Sequence, residues 1–566
     1  MNFQQIRQTA RRRSLRVSSV AVAVIAASTL TAASVGAVPT STNTYYVGTT
    51  ADDAGTAMPA TCAMHTNKTC TLRDAIVTAN TDGLGSIDTI VFTSLPSYST
   101  VTLNSANGPL SVTDTGTLKI MGSGAEDTYI SGGHATRVIT TSASDLRISN
   151  LGIENGFWLG STGGGGIYNT GSLTLTNVNV EGNVTAGSST YGGGVYSAGS
   201  LSVNGGEFST NSANTCGGAF YIRSGPSPSL NKVNILHNVS DCGGGVYNYS
   251  GVTLSITNST IAFNYARDYD DGGGIEQHGT LYLTNDTLAN NTSTEYGGAL
   301  ANENGATSYL QNVTVDGNNA LQAAGGIYNN HSGNLYVRGS ILEGNTVYGN
   351  VPSQCFGYGP TTSQGYNVVT HDSDANCNFH APGDRTNALD QYHGALGSYG
   401  GATQTIPIIL GSPAILLEPH ALCPSTDQRG VARPSNCDAG AFELAPSKSS
   451  LACGSVVGRA PGVVTISGCT PANATAKSAT GSMSVLSSGG GTLTWHPSNK
   501  ATVVSVSWTS PGKGACGTGR SEFDVAGVVT ASSASNAHYF DKVSGRICVN
   551  NATSTVALVT GTKLQL

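Results

Sequence analysis

One spacing constrains this chain more than any other feature. Asn183, Asn211, Asn238, Asn264, Asn291, Asn318 and Asn345 succeed one another at intervals of 28, 27, 26, 27, 27 and 27 residues. A Gly-Gly pair recurs beside them, its second glycine at Gly166, Gly194, Gly218, Gly245, Gly274, Gly298 and Gly326, at intervals of 24 to 29. Two apolar columns keep the same register: Leu175, Val203, Leu230, Ile256, Leu283, Leu310, Val337, and Val180, Phe208, Ile235, Ile261, Leu288, Val315, Leu342. Four columns in step mean that one structural unit of about 27 residues is repeated.

Within a unit, Leu173-Thr174-Leu175-Thr176-Asn177 alternates apolar and polar residues as a half-buried strand does. Short strands with one apolar face cannot bury it alone. Stacking each coil on the next, about 4.8 Å away, closes a continuous core. The expected fold is therefore all-β, a parallel β-helix of stacked coils. Propellers repeat at 40 or more residues, and leucine-rich repeats carry a helical half. In a coil stack like residues lie above one another, so the apolar columns become interior rows and the asparagines an amide ladder. The Gly pairs mark sharp corners. The sequons at Asn183, Asn238 and Asn291 then read as ladder positions and poor glycosylation acceptors.

Composition agrees with an extended repeat, since 74 of 566 residues are Gly and only 10% are charged. At the N-terminus Arg7, Arg11, Arg12, Arg13 and Arg16 precede an apolar run from Val17 to Leu30 and a small-residue stretch ending at Ala37. This pattern is expected to be a signal peptide over 1–37, of the general secretory type more than the twin-arginine type. Losing its five arginines would move the formal charge from −7 to −12, which disfavours nucleic acid as a partner. No later apolar run is long enough to span a membrane as a helix. Twelve cysteines behind an export signal read as disulfides. The expected pairs are Cys62–Cys70, Cys216–Cys242, Cys355–Cys377, Cys423–Cys437, Cys453–Cys469 and Cys516–Cys548. Cys216 and Cys242 lie nearly one coil apart, so their bridge would join stacked coils.

Three stretches carry a resemblance. The Gly-Gly unit with its apolar-x-x-Asn turn, as in Phe208-Ser209-Thr210-Asn211, resembles the right-handed β-helix repeats of bacterial surface proteins. Cys70-Thr71-Leu72-Arg73-Asp74-Ala75-Ile76 looks like the Cys-Ser-Leu-Arg-Glu-Ala segment that opens many of them, with Thr71 and Asp74 in place of Ser and Glu. Asp427-Gln428-Arg429-Gly430, Arg433-Pro434 and Cys437-Asp438-Ala439-Gly440-Ala441-Phe442-Glu443 are similar to the "choice-of-anchor Q" segment that closes them. The resemblance implies a right-handed coil, a secreted or cell-surface location and no activity common to the family. Such proteins usually end in a sorting or anchoring tail, and none is recognised here.

The expected organisation is a signal peptide, an N-terminal cap over 38–92 built on a helix near Leu72–Asn80, a parallel β-helix over 93–410, a C-terminal cap over 411–446, and a β-sandwich-like domain over 447–566.

Candidate chemistry concentrates in Arg267-Asp268-Tyr269-Asp270-Asp271-Gly272-Gly273-Gly274-Ile275-Glu276-Gln277-His278. Asp270, Asp271 and Glu276 could run glycoside hydrolysis, which needs one carboxyl as acid and one as base or nucleophile. Alternatively Asp268, Asp270, Asp271 and Glu295 could hold Ca²⁺ through oxygen ligands, the one cofactor the residues suggest. Neighbouring coils add no matching carboxylates by spacing, which favours a solvated loop. Glu276 interrupts a mostly aromatic column of Tyr168, Tyr196, Phe220, Tyr247, Leu300 and Tyr328. Tyr168, Tyr196, Tyr247 and Tyr328 are candidate sugar-stacking residues, the ordinary alternative being packing between coils. The preferred reading is a non-catalytic extracellular β-helix for adhesion or structure, with polysaccharide or a host or matrix surface as partner. The alternative is a polysaccharide lyase or hydrolase on the same scaffold.

Overall fold

A computed structural model describes residues 41–566 except 84, 269–270, 304, 372–376, 389–392, 410–411, 434–435, 445–451, 461, 471–477, 484–488, 497–499, 511–513, 533–541 and 566. The signal segment and Asp270 therefore lie outside the described residues.

The repeat folds as a parallel β-solenoid. One coil shows the pattern: strands Ile275–Gln277, Thr280–Thr284, Thr287–Ala289 and Thr292–Ser293 follow one another around the circuit. Each pairs in parallel with its equivalent one coil on, Ile275 with Leu300, Leu283 with Leu310, Leu288 with Val315 and Thr292 with Asn319. The first of these strand positions repeats through a ten-stranded sheet from Leu110–Val112 to Cys355–Gly357. Leu175, Leu230, Ile256, Ile261 and Leu288 point inward and are buried. Each such side chain contributes about 1.5–3 kcal/mol of burial.

Corners follow the chemistry of their residues. Gly272 has φ +68, in the left-handed region, and a Cβ on Gly274 would meet the Ala299 carbonyl oxygen at 2.6 Å. Along the long sheet the bend is made by Asn150, Asn177, Asn258, Asn285 and Asn312, all with φ between 51° and 56°. Asparagine tolerates that conformation better than other side chains with a Cβ. A second asparagine row forms the ladder. Nδ2 of Asn183, Asn211, Asn238, Asn264, Asn291 and Asn318 each donates to Oδ1 of the next, at 2.8–3.0 Å, and Asn345 ends the row on Gln354 Oε1 at 2.7 Å. Each amide does more than link coils. Asn264 Nδ2 also donates to the Ile235 carbonyl at 2.9 Å, and the Asn291 Oδ1 also accepts from the Asn264 backbone N–H at 3.0 Å.

The solenoid begins earlier than the spacing suggests. Thr42–Tyr46 pairs in parallel with Ile87–Val91, which pairs with Thr117–Met121, so the segment expected as a separate cap over 38–92 already carries two rungs. The helix Leu72–Ala79 packs Leu72, Ala75, Ile76 and Ala79 into the same core. The helix opens with a capping box. Thr71 Oγ1 accepts from the Asp74 N–H at 3.0 Å, and Asp74 Oδ2 accepts from the Thr71 N–H at 3.2 Å.

The segment expected as an end cap over 411–446 does something different. Between His393 and Leu444 the chain lies along the side of the solenoid as a strap that doubles on itself, meeting Asn234 from Gln404, Gln311 from Leu422, Ser259 from Gln428 and Gly339 from Gly440. Gln404 N–H donates to Asn234, Thr403 to the Asn258 carbonyl, Asn285 to the Thr426 carbonyl, Ala441 N–H to Thr314, and Gly440 N–H to the Gly339 carbonyl. Those anchors lie on five successive coils. The strap sits where the coils offer small residues, and Ala262 and Ala289 are buried beneath Ile406. Its family-like motif is the clasp. Arg433 pairs with Glu443 at 2.8 Å, both side chains being fully buried, and also donates to the carbonyls of Asp438 and Gly440. Arg429 pairs with Asp427 at 2.7 Å and stacks on Phe442. Gln428 inserts its amide against the coils, donating to the Ser259 and Gln404 carbonyls and accepting from Thr287.

All twelve cysteines pair, as Cys62–Cys70, Cys216–Cys242, Cys355–Cys377, Cys423–Cys437, Cys453–Cys469 and Cys516–Cys548. Cys216 and Cys242 lie opposite each other on adjacent coils with Cα atoms 4.5 Å apart. No helix among the described residues is long and apolar enough to cross a membrane.

Residues 452–565 form one antiparallel sheet in place of the two-layered sandwich expected there. The strands pair in chain order from Ala452–Arg459 through Gly462–Thr470 and onward to Thr555–Leu558. That last strand pairs back to Ala452–Arg459, so the sheet closes on itself. Closure removes the free edges a small sandwich would expose.

Candidate functional site

The ten-stranded face carries an outward tyrosine row that ends in a cluster of carboxylates. The register places Tyr168, Tyr196, Tyr221, Tyr247, Glu276, Ala301, Tyr328 and Phe356 directly above one another. Tyr221 and Ala301 thus replace the Phe220 and Leu300 expected in this column, and those two side chains point inward with Val246 and Ile275. The reason lies in the glycine corner. Ala219 and Ala299 occupy the third position that is glycine in the other coils, so counting from the Gly pair misplaces the strand by one residue.

Ring faces in this row meet each other. Tyr168–Tyr196, Tyr196–Tyr221 and Tyr221–Tyr247 have centroids 5.1, 5.4 and 5.0 Å apart and are within 12° of parallel. Arg137 closes one end of the row over Trp158 and Tyr168, and His278 packs on Tyr247 at the other, 5.1 Å away. Tyr328 belongs to a separate pair with Tyr296, 4.7 Å apart. The four tyrosines considered for sugar stacking therefore have ring faces packed against neighbouring side chains. Burial raises the Tyr221 phenol well above its ordinary value.

The charge-rich segment divides in two. Arg267 turns to Asp241 at 2.8 Å, with Asp268 at 4.0 Å and its side chain 76% exposed. Asp271 instead enters a notch formed where Glu276 and the small Ala301 interrupt the aromatic row. Glu276 is buried and meets His278 Nε2 at 2.7 Å. Asp271 Oδ1 accepts from the Tyr296 N–H at 2.9 Å. Glu303 completes the cluster from the next coil, and its Oε2 accepts from Asn330 Nδ2 at 2.7 Å. Burial, then the adjoining Glu303 carboxylate, then Glu276 push Asp271 up to about 9, so it holds a proton at neutral pH. The coils on either side place Tyr247 and Ala301 in register with Glu276, so no carboxylate matches it there; Glu303 joins the cluster from the position stacked on His278. It lies two residues past Ala301, so the coil interval counted from Glu276 does not point to it.

Chemically, the notch gathers three carboxyl groups and an imidazole, groups suited to moving a proton. Of the residues considered for calcium, Asp270 lies outside the described residues; among the described residues, the three that bring possible ligand atoms within 4.8 Å of one another are Glu418, Cys423 and Cys437, and both cysteines are in a disulfide. Asp268 and Glu295 take no part in such a group.

No known family model matches the chain, and no curated protein matches it. Among solved structures it is similar to a PL6 family alginate lyase, AlyGC, at 9% identity and a TM-score of 0.23. The match covers 64% of this chain and 56% of that one, so the chain spans little more than half of the lyase. A likeness of that strength carries no inference about activity.

Proposed function

We propose that this protein is an exported, non-catalytic β-solenoid that serves outside the cell as a rigid element for adhesion or matrix structure. The observation that carries this reading is where the polar and aromatic rows are spent. The asparagine ladder, the tyrosine row and the strap motif are all engaged in holding coil to coil. Such a rod offers length and constancy of surface, which suit multipoint attachment. Six disulfides accord with an oxidising, extracellular setting. The test is to coat surfaces with polysaccharide or host matrix and measure retention of the mature protein and release of sugar ends together, with and without Ca²⁺. Retention without turnover is expected. Release of reducing or unsaturated ends would overturn the non-catalytic reading.

One observation favours a polysaccharide-active enzyme as the second reading, namely the protonated Asp271 beside Glu276 and Glu303. In that case Asp271→Asn and Glu276→Gln would each abolish turnover while leaving retention unchanged.

A further inference from the structure

The long sheet turns a different face to solvent. Its strands Ser172–Glu181, Ser200–Asn204, Ser229–Asn231, Thr253–Thr257, Thr280–Thr284 and Thr307–Gln311 bury alternate residues and leave the others outward. Strand register stacks the outward residues into rows. One row runs Thr174, Ser202, Ser229, Ser255, Tyr282, Tyr309. Its neighbour runs Thr176, Asn204, Asn231, Thr257, Thr284, Gln311. Neither contains a charge. Charged groups border the field, at Lys119, Asp145 and Arg147 on one side, Arg338 on the other, and Lys232 in the turn beside Asn231.

Side chains within the field are ordered by one another. Asn231 Nδ2 donates to Asn204 Oδ1 at 2.7 Å, and Thr257 Oγ1 donates to Asn231 Oδ1 at 2.9 Å. Hydroxyls and amides thus recur at the coil spacing, about 4.8 Å, on a flat sheet. At the boundary of this field stand Tyr282, Tyr309 and Tyr336, stacked with centroids 4.8 and 4.9 Å apart. Tyr282 is 42% exposed, and its neighbour in the row on the other side is Ser255. A serine cannot cover an aromatic ring, so one ring face of Tyr282 borders the hydroxyl field. The tyrosine row of the other face is closed at both ends, whereas this one is open.

We propose that this face, from Ser172 to Tyr309, binds an extended, uncharged polysaccharide, with a sugar ring packed on Tyr282 and the chain's hydroxyls paired to the serine, threonine and asparagine rows. The inference rests on the adhesion reading and supplies its ligand. Rows without charge favour a neutral polymer, because an anionic chain would surrender its hydration along them and meet cations only at their borders, at Lys119, Arg147, Lys232 and Arg338. An aromatic face beside ordered hydroxyls matches a pyranose, which has an apolar face and a polar rim.

The experiment measures retention of the full-length mature protein on a neutral β-glucan, chitin, alginate and polygalacturonate. The variants are Ser202→Arg, Ser202→Glu, Tyr282→Ala and, on an exposed loop elsewhere, Leu321→Arg, each confirmed folded by thermal melt. Retention on a neutral polymer is expected, weakened about tenfold by both Ser202 variants and by Tyr282→Ala, and unchanged by Leu321→Arg. Opposite responses to Ser202→Arg and Ser202→Glu, or retention on the anionic polymers alone, would overturn the choice of a neutral ligand. Glycan retention indifferent to all three face variants would overturn the face while leaving adhesion standing. Retention on host matrix but on none of the polymers would reject the polysaccharide and spare the adhesive reading, and retention on nothing would reject both.

Discussion

The asparagine ladder and the carboxylate notch are both polar clusters within the same stack of coils, and they obey opposite rules. In the ladder every amide offers a donor to the coil on one side and an acceptor to the coil on the other, so Asn264 is buried at little cost. In the notch like meets like. Asp271, Glu276 and Glu303 crowd together, and the shared burial is tolerated by keeping Asp271 protonated. Repeating a self-complementary group strengthens a solenoid, whereas repeating a charge weakens it. This contrast separates residues that build the rod from residues retained against its stability.

The largest effect that could break the contrast comes from the ladder. Asn264→Leu removes the link to Asn291 and leaves the Asn238 side unpaired in a buried row, and should destabilise by about 3 kcal/mol. A denaturant melt showing equal stability would mean that the ladder contributes nothing. The notch should respond in the opposite direction. Asp271→Asn replaces a carboxyl that must hold a proton with a group that needs none, and should stabilise by about 2 kcal/mol at pH 7.

Titration sharpens the same point. The folded value for Asp271 lies above the unfolded one, so its contribution is complete below about 4 and is lost as pH rises towards about 9. Glu443 and Asp438 in the strap are pushed up to about 7 and about 6, chiefly by burial, and act in the same sense over a lower window. Stability of the wild type should therefore fall between pH 5 and pH 9, and Asp271→Asn should flatten the upper part of that profile in melts taken across the range. The smallest effect is expected from Glu303→Gln, which leaves a hydrogen-bonding side chain in place and removes one repulsion, raising stability by about 1 kcal/mol at pH 8. No change there would leave burial and Glu276 as the causes of the Asp271 shift.

Much of the rod was legible in the sequence because a solenoid writes its contacts at a fixed interval. The Asn183-to-Asn345 spacing states which amides touch, and the Leu175 and Val180 columns state which side chains form the core. Legibility failed where the interval slipped or ceased to apply. Ala219 and Ala299 stand for glycine and displaced the tyrosine column by one residue, hiding Tyr221. Glu303 stacks on His278 and not on Glu276, just past the end of its strand, where strand alternation gives no guide to direction. The strap lies beyond any local rule: Gln428 meets Thr287 across 141 residues, and an isolated glutamine carries no mark of that contact. The closing pair of the C-terminal sheet, Ala452–Arg459 with Thr555–Leu558, is hidden for the same reason.

The strap also changes how the rod can come apart. A bare stack of coils interacts only with nearest neighbours, so its ends can fray one coil at a time, each loss being small and independent. Bonds from the 403–441 segment fasten five coils to a common batten, and the Cys423–Cys437 bridge stiffens it. Peeling in this stretch must release the batten first and then several coils together. A tethered molecule pulled from its C-terminal side would meet a lock before it met a zipper.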